Sequence, residues 1–434
     1  MASDGPAELT GSQRWTARAR NLIPGHSQTM SKGPSQWVQG LAPTYVTRAE
    51  GARVWDVDDR CFLDFPAALG PIILGHRHPA VDDAITEQLR SGITFTFPHP
   101  LEVEVAERIR GMVPGAERVR FGKTGSDSTS AAIRLARAFT GRDMVVSAGY
   151  HGWHDWYIGS TSRNRGVPTA VSALVEDVPL HAVDAVSNLL EARPGQVAAV
   201  IIEPVGLQEP NPGVLQAIVD TARAHGAVAI FDEVITGFRL APGGAQEHYG
   251  VQADLACFGK ALGNGMPISA LAGRAEIMDL LEEVFFSGTH GGEALSLAAA
   301  RATLDELSQE GAHAHLWRMG ELLQQGLSKI VESHGLQEWV TVGGAAPWTL
   351  VAVREPDSVN DGLAAKTFLQ AELLRRGVLF NGSHFMMLAH RESDISEALE
   401  AYDAALSRLA ELLPAGVADA LDAPPLAPVF RTVS

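Results

Sequence analysis

The chain has 434 residues, of which 46% are hydrophobic and 20% charged, and its mean hydropathy is +0.03. This composition is typical of a globular protein large enough for more than one core, and no apolar run reaches the roughly 18 residues of a membrane helix. The formal net charge of −17 argues against nucleic acid as a partner, because phosphate binding requires a basic face.

The N-terminus and the cysteines indicate the compartment. The opening sequence MASDGPAELTGSQRWTARARN lacks the apolar core of a secretory signal, and Asp4 and Glu8 argue against a transit peptide. Cys61 and Cys257 are too few for a disulfide scaffold or a zinc cluster. We therefore expect a cytoplasmic protein without a bound metal.

The first predicted elements are a β-meander and two helices. Tyr45–Phe65 shows enough alternation for a meander, with the turn at DVDDR. A helix is then predicted in GHRHPAVDDAITEQLRSG, capped near His78 and Pro79, and a second in PLEVEVAERIRGMVPG. We assign residues 1–75 to an N-terminal segment that carries this meander.

The middle of the chain, from Arg118 to Gly273, alternates short apolar runs with helical patterns. The apolar runs are RVRF, DMVVSAG, VAAVIIEP, GAVAIF, DLACFG and ISALAG. This alternation predicts an α/β fold with a mostly parallel, doubly wound sheet and helices on both faces. We place this large domain at residues 76–312.

The C-terminal part is predicted to be a smaller α+β domain at residues 313–434. A long helix at Leu295–Leu307 is expected to cross toward it. Beyond Trp317, helices mix with short strands such as WTLVAV and GVLF, and the sequence DAPPLAPVFRTVS predicts an extended tail.

Ligands of an open α/β sheet collect where strands end and helices begin. At one such junction, FGKTGSDSTSAAIRLARAF, Gly125 permits a tight turn and Ser126 opens an Ala-rich helix. The free N–H groups and the dipole of that helix suit a phosphate. Plain helix capping is the alternative interpretation, and the sequence is not a P-loop because the Gly-Lys-Ser/Thr ending is absent.

A second junction, SAGYHGWHDWY, is rich in aromatic residues. A flat ligand could stack on a ring such as Tyr150, and the alternatives are a hydrophobic plug or a dimer contact. His151 and His154 could imitate a metal pair, but no third ligand with suitable spacing stands nearby.

The remaining junctions carry charged residues at strand ends. Glu203 ends VIIEP, Asp232 and Glu233 end AIFDE, and Lys260 follows ACFG. Desolvation would lower the pKa of such a lysine and make it a usable nucleophile, although a lone lysine is more commonly a surface residue whose stem lies along apolar surface. A phosphate turn, a stacking ring, a buried carboxylate and a lysine together fit pyridoxal 5′-phosphate (PLP). Asp232 would pair with the ring nitrogen, and Glu233 would be structural.

These residues also resemble a known family. FGKTGSDSTSAAIRLARAFTGRDMVV, GYHG, VIIEPV, FDEVITGFR, FGKALGNGMPISALAG and GTHGGEALSLAAA are similar to motifs of the class III PLP-dependent aminotransferases. Within that family the chain most resembles the branch of glutamate-1-semialdehyde 2,1-aminomutase, from about Leu22 through the helix after His390. The resemblance implies a fold-type I homodimer with active sites at the subunit interface.

The resemblance also implies roles for single residues. Lys260 would be the Schiff-base lysine and the base that moves the α-proton, and Asp232 would bind the pyridine nitrogen. The other cofactor-binding residues would be Gly125 and Ser126 at the phosphate, Tyr150 and Val234 on the two ring faces, Glu203 near the ring, and Thr289 at the phosphate of the neighbouring subunit's cofactor.

The sequence departs from the aminomutase motifs at positions that would contact the substrate. Lys32 stands where the aminomutase has an arginine for the substrate carboxylate, and Leu69 stands where it has a tryptophan. The C-terminal stretch NGSHFMMLAH is shorter than the segment that holds the aminomutase glutamate. Together with GYHGWHDWY and GVLFNGSH, these features resemble relatives acting on aminosugar or aminoglycoside frameworks in antibiotic biosynthesis. Trp153, Asp155 and Trp156 would suit a sugar.

The sequence favours an aminotransferase that moves an amino group from glutamate or glutamine to a sugar aldehyde or ketone. The alternative is a PLP isomerase, either an aminomutase or an aminosugar epimerase, since both reactions depend on Lys260 and Asp232. A non-catalytic regulator is disfavoured because the lysine, the carboxylate and the phosphate turn are all intact. A dehydrogenase is disfavoured because TGSDS lacks the glycines of a dinucleotide fingerprint.

Overall fold

The structure is a computed structural model and describes residues 10–354 and 362–427. The α-helices of these residues are α1 (Gly11–Arg20), α2 (Pro79–Ser91), α3 (Pro100–Met112), α4 (Gly125–Thr140), α5 (Asp155–Ile158), α6 (Thr169–Ser172), α7 (Val183–Ala192), α8 (Val214–Ala224), α9 (Gly244–Tyr249), α10 (Ala275–Met278), α11 (Ala294–Leu307), α12 (Ala312–Ser333), α13 (Leu363–Arg375) and α14 (Glu392–Leu412). The β-strands are β1 (Val46–Glu50), β2 (Arg53–Asp56), β3 (Cys61–Asp64), β4 (Arg118–Gly122), β5 (Met144–Ala148), β6 (Val175–Asp177), β7 (Val197–Ile202), β8 (Val228–Glu233), β9 (Leu255–Phe258), β10 (Ser269–Gly273), β11 (Val340–Gly343), β12 (Trp348–Val353), β13 (Val378–Leu379) and β14 (Ser383–Phe385).

The described residues divide into two compact units. The larger unit comprises residues 68–74 and 78–317, and the smaller unit comprises the residues up to 67, residues 75–77 and those from 318 onward. The N-terminal segment therefore groups with the C-terminal part of the chain. The expectation that the helix at Leu295–Leu307 crosses between domains is wrong, because α11 packs against α2 and α3 of the larger unit. The division falls inside α12 instead.

The larger unit is built around a sheet with the strand order β4-β10-β9-β8-β7-β5-β6. The pairs from β6 through β9 are parallel, and β10 runs antiparallel to both of its neighbours. The short β-branched runs of the sequence account for these strands, because such runs favour a parallel sheet buried on both faces. The prediction of a mostly parallel sheet is confirmed.

Both faces of this sheet are covered by helices. Successive strand residues point to opposite faces, so Ile201 and Ile230 lie in a core cluster that includes α4. Their neighbours Ile202 and Phe231 lie in a second cluster that includes residues of α7 and α8. The sheet is therefore doubly wound, as the alternation of strands and helices predicted.

The smaller unit contains two sheets. Strands β1, β2 and β3 form the predicted antiparallel meander, and β13 adds to β3 in parallel. Strands β11, β12 and β14 form the second sheet, in which β12 is the predicted WTLVAV. Residues 428–434 of the expected extended tail lie outside the described residues.

No helix within residues 10–354 and 362–427 combines the length and the hydropathy needed to cross a bilayer.

Candidate active site

A cavity of about 310 Å³ lies in the larger unit, beyond the carboxyl ends of its parallel strands. This is where ligands bind in open α/β sheets. The lining residues are Pro71, Lys123, Thr124, Gly125, Ser126, Thr129, Tyr150, His151, Gly152, Glu203, Asp232, Val234, Ile235, Lys260, Gly265, Met266, Pro267 and Ile268. The junctions that the sequence singled out after β4, β5, β7, β8 and β9 therefore meet at one cavity.

The N-terminus of α4 forms one end of this cavity. Thr124 caps the helix, because its side chain accepts a hydrogen bond from the Asp127 N–H at 3.2 Å. The Asp127 carboxylate in turn accepts from the N–H groups of Lys123 and Thr124 at 3.0 and 2.8 Å. Helix capping, the alternative interpretation of this junction, is therefore observed at Thr124. The N–H groups of Gly125 and Ser126 belong to the first turn of α4, where N–H groups lack partners within the helix.

Glycine is required at position 125 because the start of α4 lies close to Val234. A Cβ on Gly125 would lie 2.9 Å from both methyl carbons of Val234. Val234 follows β8 directly and lines the cavity. Because any larger residue at 125 would displace Val234 or the start of α4, this glycine sets the width of the cavity between the two.

Asp232 is held by two partners at the end of β8. Its Oδ2 lies 2.8 Å from His151 Nδ1, and its Oδ1 accepts from the Val234 N–H at 3.1 Å. Asp232 is 5% exposed and His151 2% exposed. The Nε2 atom of His151 is buried without a hydrogen-bond partner among the described residues. The neighbouring Glu233 accepts hydrogen bonds from Thr236 and from the N–H groups of Ala245 and Gln246, which is a structural arrangement.

Glu203 is the second carboxylate of the lining. Its Oε2 accepts from the Tyr150 N–H at 2.8 Å. Burial and the nearby charge of Asp232 raise the pKa of Glu203 to about 6. Burial likewise raises the pKa of the Tyr150 hydroxyl, whose ring is half exposed at the cavity.

Lys260 lies two residues after the end of β9, at the start of a short 3-10 helix. Its backbone adopts the left-handed conformation with φ 39°, which is uncommon for a residue with a side chain. Burial lowers the pKa of its amine, although the charges of Glu203 and Asp232 act in the opposite direction. A larger fraction of this amine is therefore neutral and nucleophilic than in an exposed lysine.

The lining fits a phosphorylated aldehyde with a basic ring nitrogen. Gly125 leaves room that a Cβ would fill, and the first turn of α4 offers N–H groups to an anion. Asp232 offers a buried carboxylate to a protonated nitrogen, and Lys260 offers an amine to a carbonyl carbon. These groups match the phosphate, the pyridine and the aldehyde of PLP.

Comparison with known proteins agrees with this chemistry. The sequence model of the family described as Aminotransferase class-III matches residues 36–406. The chain is 38% identical to glutamate-1-semialdehyde 2,1-aminomutase of Methanothermobacter thermautotrophicus over 419 residues, which covers 90% of this chain and 98% of that protein. It belongs to the class III aminotransferases.

Solved structures place the fold in the same family. A glutamate-1-semialdehyde aminomutase from Pseudomonas aeruginosa PAO1 superposes with a TM-score of 0.80 at 25% identity, covering 92% of this chain and 94% of that one. An omega-transaminase from Sphaerobacter thermophilus superposes with a TM-score of 0.84 at 26% identity, covering 93% and 99%. The chain thus has the fold-type I architecture and is a PLP-dependent enzyme of the transaminase type.

The residues predicted to contact substrate are more scattered than the cofactor residues. Leu69 is half-buried two positions before the lining residue Pro71 but does not itself line the cavity. Trp153 is 67% exposed and Asp155 is exposed. The expectation that Trp156 faces a sugar is wrong, because this ring is buried in the core cluster containing α4 and its Nε1 donates to Ser130 Oγ at 2.9 Å.

Two predicted residues are not among those that line the cavity. Thr289 is exposed on the loop before α11 and does not line the cavity, so its contact with a neighbouring subunit stays a prediction. Lys32 is an exposed residue of the smaller unit, at the end of the 3-10 helix Met30–Lys32, and its contact with substrate also stays a prediction.

Sequence reasoning missed several residues of the lining. His151 is a member of the aromatic-rich loop and of a discounted metal pair in the sequence prediction, whereas in the structure it is the partner of Asp232, 81 positions away. Lys123 was overlooked, although its position directly before the phosphate turn is a usable signal. Its Nζ lies 3.1 Å from Glu293 Oε2.

Proposed function

We propose that this enzyme moves an amino group within one small substrate, in the manner for which its aminomutase relatives are named. The observation that carries the proposal is the convergence of Lys260, Asp232 and the N-terminus of α4 on one cavity. The aminomutase of Methanothermobacter thermautotrophicus, with 38% identity over 98% of its length, supports the reaction type.

Lys260 has the central role in this proposal. PLP, when bound, withdraws electrons from the carbon that bears the amino group of the substrate. The Lys260 amine would hold the carbonyl end of the cofactor and, once the substrate amine has displaced it, would accept the proton from that carbon and return a proton to another position. Because burial lowers the pKa of this amine, a larger fraction of it is in the unprotonated form that can accept a proton.

Asp232, oriented by His151, would pair with the ring nitrogen of the cofactor and favour its protonated form. The Asp232 carboxylate accepts from the Val234 N–H, so a backbone contact sets its orientation toward the cavity. His151 binds the other oxygen and prevents the carboxylate from rotating. Tyr150 and Val234 line the cavity and would contact the two faces of the ring, and Gly125 and Ser126 would bind the phosphate through their N–H groups.

Lys123 is the cation that we assign to an acidic group of the substrate. Lys123 and Lys260 are the only lysine or arginine residues in the lining set given above. Lys123 is paired with Glu293, but that carboxylate also accepts from Leu295 N–H and Ser296 Oγ at the start of α11. Glu293 therefore keeps hydrogen-bond donors when the Lys123 ammonium turns to a substrate carboxylate.

A second candidate function is transfer of an amino group from glutamate or glutamine to the carbonyl of an aminosugar-type acceptor. Three observations favour it: Lys32 and Leu69 differ from the aminomutase motifs, and Trp153 presents an exposed ring beside the cavity-lining residues His151 and Gly152. Aromatic faces of this kind suit the apolar face of a sugar.

The test is to supply the PLP-loaded enzyme with one amino compound at a time and no carbonyl acceptor. Glutamate 1-semialdehyde, glutamate, glutamine and several aminosugars make up the panel. Under the proposal, the semialdehyde disappears, the isomer with the amine on the former aldehyde carbon forms, and no keto acid is released. The Lys260→Ala variant controls for uncatalysed isomerisation.

Release of 2-oxoglutarate from glutamate or of 2-oxoglutaramate from glutamine, with loss of the visible cofactor band, would contradict internal transfer and establish the second candidate. Sugar aldehydes would then be screened as acceptors. A response to an aminosugar alone, with the band restored and no keto acid formed, would instead establish an aminosugar isomerase.

We also propose that the enzyme is a homodimer. The larger unit exposes Phe95, Phe97 and Phe285, which are 44%, 80% and 78% exposed. Exposed aromatic residues of this size are enriched at subunit interfaces. Sedimentation of the PLP-loaded protein tests the dimer, and Thr289→Ala is expected to weaken PLP binding in the dimer if Thr289 reaches the partner's site.

A further inference from the structure

Residues 68–74, ALGPIIL, form a turn with unusual backbone geometry. Ala67 just before the turn and Ala68, Leu69 and Gly70 within it have φ angles of 47°, 57°, 77° and 98°, so four consecutive residues are left-handed and three of them carry side chains. Such a conformation persists only where surrounding groups hold it. Pro71 follows directly, is half-buried and lines the cavity.

The first half of this turn is held by Arg239. This arginine is fully buried, and its guanidinium donates from Nη2 to the Gly70 carbonyl oxygen. Its Nε donates to the Ile235 carbonyl oxygen at 3.2 Å, and Ile235 is itself a lining residue. The same side chain thus connects the turn with the segment that follows Asp232.

The second half is held by Asn264. Its Oδ1 accepts from the N–H groups of both Ile73 and Leu74 at 2.9 Å. Asn264 ends the 3-10 helix that begins at Lys260, and its own φ is 43°. Next to it, a Cβ on Gly265 would lie 2.8 Å from Ile72 Cδ1, so the two turns are in close contact.

We propose that residues 68–74 form the specificity turn of this enzyme, and that Arg239 and Asn264 are positioning residues which fix it against the turn bearing Lys260. This inference rests on the proposed function only in that PLP is bound at Lys260. Pro71 lies between the two attachments and is therefore the lining residue whose position they determine.

The chemistry of this wall indicates what it selects. The lining residues near the two turns, Pro71, Ile235, Met266, Pro267 and Ile268, carry no charge. Such a wall discriminates by shape, because it offers a substrate apolar contact and no ionic partner. Substrates with a slender carbon chain are accepted and bulky ones are excluded, provided that the turn stays in place.

The test compares Asn264→Gly with Asn264→Asp in the PLP-loaded enzyme. Glycine tolerates the left-handed backbone but removes the acceptor, whereas aspartate keeps both the acceptor and the tolerance. The probes are a slender and a bulky oxyamine, aminooxyacetate and O-benzylhydroxylamine, which react with the carbonyl group of the cofactor. Their rate constants are measured from the loss of its visible absorbance.

We expect the wild-type enzyme to react faster with aminooxyacetate. The ratio of the two rate constants should fall at least tenfold in Asn264→Gly and stay within twofold of wild type in Asn264→Asp. Hydrogen exchange at the Ile73 and Leu74 amides should accelerate only in the glycine variant. Arg239→Gln should lower the ratio in the same direction.

An unchanged ratio in Asn264→Gly, with accelerated exchange, would overturn the specificity role. Unchanged exchange would overturn the positioning role. Neither measurement needs the natural substrate, so a failure to find an aminomutase or transaminase reaction leaves this test intact and is recognised separately.

Discussion

Glu203 of the larger unit and Glu372 of the smaller unit are two carboxylates that differ in the hydrogen-bond donors and charged groups around them. Glu203 accepts one hydrogen bond from the Tyr150 N–H and lies near the charge of Asp232, so its pKa rises to about 6. Glu372 is buried among Arg375, Arg376 and Arg408, at 2.6, 2.9 and 2.8 Å.

The difference separates a reactive site from a structural one. Burial alone would raise the pKa of Glu372, but hydrogen bonds from Arg376 and Arg375 and the charge of Arg408 lower it. The raised pKa of Glu203 lies close to neutral pH, where a carboxyl group gains and loses its proton readily. Glu372, paired with three arginines, stays in one charge state.

The largest effect is expected for Lys260→Ala, which tests whether the cavity of the larger unit is the reactive site. Removing the amine that holds and moves the proton should lower kcat by about 10⁴-fold, the upper range for a general base. Single-turnover kinetics of the PLP-loaded variant measures the loss. Lys123→Met, at the other lysine of the cavity lining, is the matched control and should raise KM with a much smaller effect on kcat.

Asp232→Asn should lower kcat by roughly 10²-fold to 10³-fold, because a neutral amide cannot stabilise a protonated ring nitrogen. The cofactor's absorbance spectrum and kcat report the change together. Glu233→Gln is the adjacent control, since Glu233 faces Thr236 and backbone N–H groups. Equal losses in the two variants would contradict the assigned division of roles.

Glu372→Gln should destabilise the protein by about 2–3 kcal/mol, because three partly exposed guanidinium groups lose their shared partner. Urea unfolding measures the change, and kcat of the folded variant should stay near wild type. Asp422→Asn removes an 80% exposed carboxylate from Arg375 and should cost less than about 1 kcal/mol. A kcat loss in Glu372→Gln would indicate that this cluster is not purely structural.

The smallest effect concerns pH. Because the folded-state pKa of Glu203 is raised from 4.5 to about 6, its stabilising contribution is fully present below pH 4.5 and is lost as pH rises through 6. Wild type should therefore lose about 2 kcal/mol of unfolding free energy relative to Glu203→Gln between pH 4.5 and pH 7.5. Parallel pH profiles for the two proteins would exclude a raised pKa at Glu203.

Much of the larger unit could be predicted from local sequence. GAVAIF and VAAVIIEP are short β-branched runs bounded by turn residues, and they became β8 and β7. The three-residue strands β6 and β14 were not predicted, because so few residues carry no period of their own. The sequence prediction made α11 the helix that joins the two units, whereas the division lies in α12. The alanine-rich pattern of α11 does not reveal which elements this helix packs against.

The sequence by itself determined the family, the cofactor class and the residues at the ends of strands, because chemistry of this kind depends on residue types at particular junctions. Tertiary structure alone decided the contacts between distant segments. His151 meets Asp232 across 81 positions, and Arg239 meets Gly70 across 169. No local pattern encodes such pairs, since they form only when the strand order and the turns have brought the two segments to the same cavity.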